Sequence, residues 1–98
     1  MTLYSEDGQC FIDLEDSLTV EDTEELHKEL IPFLEKDQEF FVHGIDLKKF
    51  DTAGLQLIVS LKKYADQNKK TFQMSLGNKE DQLIDFYGLT YYFKESII

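Results

Sequence analysis

The run Phe50-Asp51-Thr52-Ala53-Gly54-Leu55-Gln56-Leu57-Ile58 decides how this chain folds. Two residues of the helix-capping type and one glycine interrupt an apolar pattern at the point where a strand-to-helix loop becomes a helix. Asp51 or Thr52 can accept hydrogen bonds from the free N–H groups of the first helical turn, and Gly54 leaves those groups open to an approaching partner. Exposed helix starts attract phosphate, carboxylate or another protein. The sequence therefore places the functional surface on Asp51, Thr52, Ala53, Gly54, Leu55 and Gln56.

Working outward, Gly54, Leu57, Ile58, Leu61 and Ala65 form the inner face of a helix that ends near Asn68, with Lys62, Lys63, Lys69 and Lys70 near its negative C-terminus. Upstream, Glu39-Phe40-Phe41-Val42-His43-Gly44 reads as a strand whose unbroken apolar centre predicts burial on both faces. Gln9–Leu14 predicts another, paired through the Glu6-Asp7-Gly8 turn with a short Thr2-Leu3-Tyr4 strand. Thr19-Val20-Glu21-Asp22 has the form of a capping box, and Leu26, Leu30, Phe33 and Leu34 recur at helical spacing, which predicts a helix from about Val20 to about Lys36. Pro32 removes the bond to the Lys28 carbonyl and should bend or shorten that helix. Downstream, Thr71–Leu76 alternates as a strand, and Asn78-Lys79-Glu80-Asp81 opens a third helix carrying Leu83, Ile84 and Tyr87, with Gly88 as its C-terminal cap and Leu89 packing back. Strands alternating with helices require crossover connections. The expected fold class is α/β: one domain over residues 1–98, with a mainly parallel central sheet of four to five strands and helices packed on it.

Composition narrows the function classes. The net charge is −10, and it is unevenly placed: residues 1–39 hold thirteen acids against Lys28 and Lys36, whereas residues 40–98 hold seven acids against eight lysines. The acidic half reads as a solvated surface that keeps the protein soluble, the alternative being steering toward a basic partner. All ten basic residues are lysine, so the bidentate guanidinium fork that favours phosphate and base recognition is missing, and nucleic acid is not expected as a partner. Apolar stretches are too short to span a bilayer and the N-terminus lacks the pattern of a signal peptide, which predicts a cytoplasmic location. Cys10 is the one cysteine and lies in an apolar run, as a small buried hydrophobe would. His27 and His43 have no ligand partner at metal-binding spacing, and no nucleophile elbow accompanies them, so neither a metal, a cofactor nor catalysis is expected. Tyr87, Tyr91, Tyr92 and Phe93 form an aromatic cluster at the core or its rim, one of the adjacent tyrosines facing outward, and the apolar end of the tail Lys94–Ile98 favours a homodimer.

The order of elements and the junction together resemble the STAS domain, the fold of bacterial anti-sigma factor antagonists and of modules in anion and lipid transporters. The likeness runs from Phe11 to Phe93. Its parts are Leu18-Thr19-Val20 before the first helix, Phe41-Val42 on the central strand, Phe50–Leu57 opening the second helix and Tyr87-Gly88-Leu89 closing the third. In partner-switching antagonists the signature is Asp-Ser-Ser-Gly, and the serine before the glycine is phosphorylated by a kinase that is also the anti-sigma factor. Here that position is Ala53, so the resemblance implies a docking surface without the usual phosphoserine switch. Thr52 matches the neighbouring serine and is the remaining hydroxyl for phosphorylation, with helix capping as its alternative role. His43 stands where the family usually has aspartate; Asp46 is the acid near enough in sequence to supply charge there. The resemblance implies a non-enzymatic interaction module that docks an anti-sigma factor or serine kinase through Asp51–Ile58. Lipid-transporter members carrying Asp-Thr and small residues imply an alternative, a cytosolic subunit that docks an ABC-transporter ATPase, and chemotaxis-associated STAS adaptors imply another. A sensor holding one anionic or nucleotide phosphate at Thr52–Leu55 is a reading from a different class.

Overall fold

Asp7 (φ 52°) and Gly8 (φ 80°) both take positive φ, as a two-residue hairpin turn with the right twist requires, and they reverse the chain between β1 (Thr2–Glu6) and β2 (Gln9–Asp13). The computed structural model describes residues 1–77 together with Gly88, Phe93 and Ser96. The expected third helix, the outward tyrosine of the pair Tyr91 and Tyr92 and the apolar end of the tail lie outside the described residues, apart from the buried Phe93 and Ser96. Gly88 has φ 69°, in the left-handed region that favours glycine.

After β2 come β3 (Ser17–Leu18), α1 (Val20–Leu34), β4 (Glu39–Gly44), β5 (Lys49–Phe50), α2 (Thr52–Gln67) and β6 (Thr71–Leu76). The main sheet has the order β1-β2-β4-β6: β1 lies antiparallel at one edge, and β2, β4 and β6 run parallel. β3 and β5 form a separate two-stranded parallel sheet. The expected mainly parallel α/β sheet is the one observed.

One face of the main sheet carries Cys10, Ile12, Phe40, Val42, Phe72 and Met74, all buried, and α1 and α2 pack on it through Leu26, Leu30, Leu55, Ile58, Leu61 and Ala65. Removing each of these leucine and isoleucine side chains from water contributes roughly 1.5–3 kcal/mol. Phe93 closes the core beside β6, its ring 6.3 Å from that of Phe72, and the Met74 N–H at the sheet edge donates to the Ser96 carbonyl at 2.7 Å.

Several expectations need correction. β4 is central, yet only its Phe40–Val42 side is buried: Phe41 is half-buried and His43 exposed, because the helices cover one face and Phe41 instead stacks on Phe11 of β2. In α2 the buried stripe is Gly54, Leu55, Ile58, Leu61 and Ala65, with Leu57 half-buried on its flank. Leu57 and Leu61 line a groove against Leu30 and Leu34 of α1. α1 runs through Pro32 and stops at Leu34, two residues short of the expected end. Its last turn has no basic residue of its own. Lys70, just before β6, takes that place. Its ammonium donates to the carbonyls of Leu34, Glu35 and Asp37 and sits 5.5 Å from the centre of the Tyr64 ring.

Candidate functional site

β3 and β5 lie in register, Ser17 opposite Lys49 and Leu18 opposite Phe50, so the next residue of each, Thr19 and Asp51, begins a helix at the same level. The consequence is a shared cap. Asp51 is extended (φ −126°, ψ −178°), and its Oδ1 accepts from the Gly54 N–H at 3.0 Å while its Oδ2 accepts from the Val20 N–H, also at 3.0 Å. A single carboxylate thus caps both α1 and α2, and its negative charge sits where both helix dipoles are positive. Thr52 is the first residue inside α2 rather than its cap.

The first turn of α1 supplies a second carboxylate. Asp22 Oδ2 accepts from the Ser17 hydroxyl at 2.6 Å, the Thr19 N–H at 2.9 Å and the Thr19 hydroxyl at 3.1 Å. These bonds, the Ser17 hydroxyl foremost, hold the Asp22 carboxyl below its ordinary pKa. The capping box expected at Thr19–Asp22 is present.

The glycine of the junction serves packing between the two strand–helix units. A Cβ at Gly54 would lie 2.2 Å from the Leu18 carbonyl oxygen and 3.0 Å from the Leu18 side chain, so the closeness of β3 to α2 requires glycine there. Gly54 is buried, and Leu55 retains 3% of its exposure as part of the core. This corrects the sequence reading at two of its six contact residues, because Gly54 and Leu55 point into the fold. Thr52 and Gln56 are exposed, Ala53 is half-buried, and both Asp51 oxygens are engaged by backbone N–H groups. The outward surface of the junction is therefore Thr52, Ala53 and Gln56.

Two exposed apolar residues that follow strand ends were missed in the sequence. Val20, the first residue of α1, is 64% exposed, and Ile45, in the loop after β4, is 52% exposed. The available signal was an apolar residue directly after a cap, and another directly after the glycine that ends a strand. The loop is held by the Lys48 and Lys49 N–H groups, which donate to the Asp16 carbonyl at 2.8 and 3.1 Å. Asp46 is exposed within it. Val20, Thr52 and Ile45 all follow the C-terminal ends of parallel strands, the edge where open α/β sheets carry their sites.

The remaining chemistry-bearing side chains stand apart. Cys10 is fully buried, and desolvation, with Asp37 nearby, pushes its thiol up to about 11. His27 is exposed on α1, and His43 is exposed on the sheet face opposite the helices. Among the described residues no three His, Cys, Asp or Glu side chains are grouped to hold a metal ion, and no helix is long and apolar enough to cross a membrane.

The fold is the STAS fold. The chain is similar to the solved anti-sigma factor antagonist SpoIIAA in its unphosphorylated form, with a TM-score of 0.82 at 12% identity, covering 99% of this chain and 84% of that one. It is equally similar to the Bacillus cell fate determinant SpoIIAA in its phosphorylated form, with a TM-score of 0.81 at 12% identity over 99% and 87% of the two chains. No protein-family model matches the chain, and no curated protein matches its sequence. At this identity the likeness establishes the fold.

Proposed function

We propose that this chain is a non-enzymatic, cytoplasmic regulatory module that docks a partner protein through Thr52, Ala53 and Gln56 of the α2 start, flanked by Val20 and Ile45. The partner is of the anti-sigma factor or serine-kinase class. The observation that carries this reading is the Asp51 carboxylate shared by Val20 and Gly54, which makes the two helix starts one preorganised surface. Preorganisation favours docking because little has to be ordered on contact. The likeness to an antagonist supports the class of partner.

That likeness holds for the phosphorylated and unphosphorylated forms alike, so the fold does not distinguish the two states. The residue at the junction does. Ala53 has no hydroxyl, so docking proceeds without a phosphate veto at that position. Thr52 is the exposed hydroxyl beside it. Phosphorylation there would add about −1.5 to −2 charge and a tightly held hydration shell to the docking surface.

The test uses wild type, Ala53→Glu and, as a control on the same helix, Lys63→Glu, each immobilised and exposed to cytosol of the source cells. Acidic residues are favourable in the first turn of a helix, so Ala53→Glu should fold. A protein with a kinase-type nucleotide fold, retained by wild type and Lys63→Glu and lost with Ala53→Glu, is the expected result. Recovery of a transporter ATPase in the same pattern would move the reading to the transporter subunit. Equal recovery by all three proteins would overturn the choice of surface.

A further inference from the structure

The sheet face turned away from α1 and α2 has a regular composition. Its twelve outward positions (2, 4, 6; 9, 11, 13; 39, 41, 43; 71, 73, 75) all retain solvent exposure, none being classed as buried. The register aligns them in three rows across the strands. Tyr4, Phe11, Phe41 and Gln73 form the middle row. The Tyr4 and Phe11 rings stack at 4.9 Å and the Phe11 and Phe41 rings at 5.3 Å, with interplanar angles of 17° and 16°. Tyr4 is 51% exposed. The row on one side contains Asp13 and His43, and the row on the other contains Glu6 and Glu39, the latter accepting from Gln9 at 2.6 Å. A depression of about 370 Å³ lies between the aromatic row and the row of Asp13, His43 and Ser75.

Charge decides what fits. None of the twelve positions is a lysine, although the chain has ten, and three of them are carboxylates. A second copy laid on this face would bring six carboxylates together around the rings, which opposes self-association. A cationic surface is complementary.

Spacing decides its shape. Adjacent strands are about 4.8 Å apart and alternate residues of a strand about 6.8 Å apart. A helix lying along the ladder advances about 5.4 Å per turn, so one apolar residue per turn falls near each successive ring. Lysine or arginine on its flanks then reaches the carboxylate rows on either side, with the stems lying over the aromatic edges. We propose that this face is a second docking surface, for a basic amphipathic helix of a partner protein, seated on Tyr4, Phe11 and Phe41 and flanked by Glu6, Asp13 and Glu39. It lies on the far side of the sheet from the helices and stands independently of the docking proposed at the helix starts.

The test is a two-dimensional amide NMR titration of the full chain with a synthetic peptide bearing leucine at i, i+3, i+4 and i+7 and lysine elsewhere. Two control peptides replace every lysine by glutamate or every leucine by serine. The lysine–leucine peptide should bind saturably, with shifts concentrated on β1, β2 and β4, and both controls should bind at least about tenfold more weakly. The double variant Glu6→Lys/Glu39→Lys, and separately Tyr4→Ser, should each weaken binding about tenfold and about threefold while leaving the rest of the spectrum in place. Shifts confined to the acidic surface of α1, binding of the serine peptide equal to that of the leucine peptide, or unchanged affinity in the variants would overturn the proposal. Concentration-dependent shifts on this face without peptide would assign it to a second copy instead.

Discussion

Replacing Gly54 with alanine sets two opposed effects against each other, and the geometry says which wins. In an unconstrained helix the substitution would stabilise by about 1 kcal/mol through backbone propensity and reduced freedom of the unfolded chain. Here the new Cβ would lie 2.2 Å from the Leu18 carbonyl oxygen, whereas ordinary contact begins at 3.4 Å, so β3 and α2 must separate by about 1.2 Å. That movement strains a packed interface at roughly 1–3 kcal/mol. It also stretches the Asp51–Val20 bond of 3.0 Å and the Asp51 N–H to Leu18 carbonyl bond of 3.4 Å, which together hold about 1–2 kcal/mol. Net of the propensity gain, Gly54→Ala should destabilise by about 1–4 kcal/mol. For a domain of this length that lowers the Tm by roughly 5–30 °C. Urea unfolding of wild type, Gly54→Ala and the adjacent Ala53→Gly measures it. Ala53→Gly should cost only about 1 kcal/mol, the ordinary helical penalty. A Gly54→Ala protein as stable as wild type, or more so, would show that the glycine is there for another reason.

Asp51→Ala removes the acceptor of two helix starts and should cost about 2–3 kcal/mol in urea unfolding, while Asp51→Asn, with one acceptor oxygen left, should lose about half of that; identical losses would refute the shared cap. The Asp22 carboxyl has a folded-state pKa below its unfolded value, so its stabilisation is present above the unfolded pKa of about 3.9 and is lost as pH falls through the lower folded value. The stability gap between wild type and Asp22→Ala should therefore be constant from pH 7 to 5 and close below about pH 4, and a gap independent of pH would count against it. Lys70→Met keeps the stem but removes the charged donor from three carbonyls at the end of α1, which should cost about 2 kcal/mol and speed amide exchange in the last turn of that helix.

The parts of the fold that were legible in the sequence are those where a single local rule acts. Asp7-Gly8 could only be a tight turn, and the alternation of Thr71–Leu76 and the Thr19–Asp22 box each specify one geometry, while the sequence left the cap of α2 open between Asp51 and Thr52. What the sequence concealed depends on a second segment meeting the first. Gly54 looked like an opening for a partner because the Leu18 carbonyl, thirty-six positions earlier, is invisible locally. Phe41 looked buried because a one-sided aromatic ladder and a two-sided buried strand share the same run of apolar letters. Leu55 and Leu57 stand on either side of the junction's inner face, and only the packing of α1 against α2 decides between them. Lys70 read as a charge near the end of α2, when its ammonium closes the end of α1.

The in-register pairing of β3 with β5 also sets a rule for insertions and deletions. From Lys49 to Gly54 the chain has no slack, because one added or missing residue would turn Asp51 away from Val20 and put a side chain against Leu18. The same holds from Ser17 to Val20. Between these segments the Ile45–Lys48 loop can lengthen at small entropic cost, since a longer loop still returns to the same register. Variation in length should therefore gather in that loop and leave the two helix starts untouched, so that whatever docks there can vary its fit to the loop while meeting the same rigid edge.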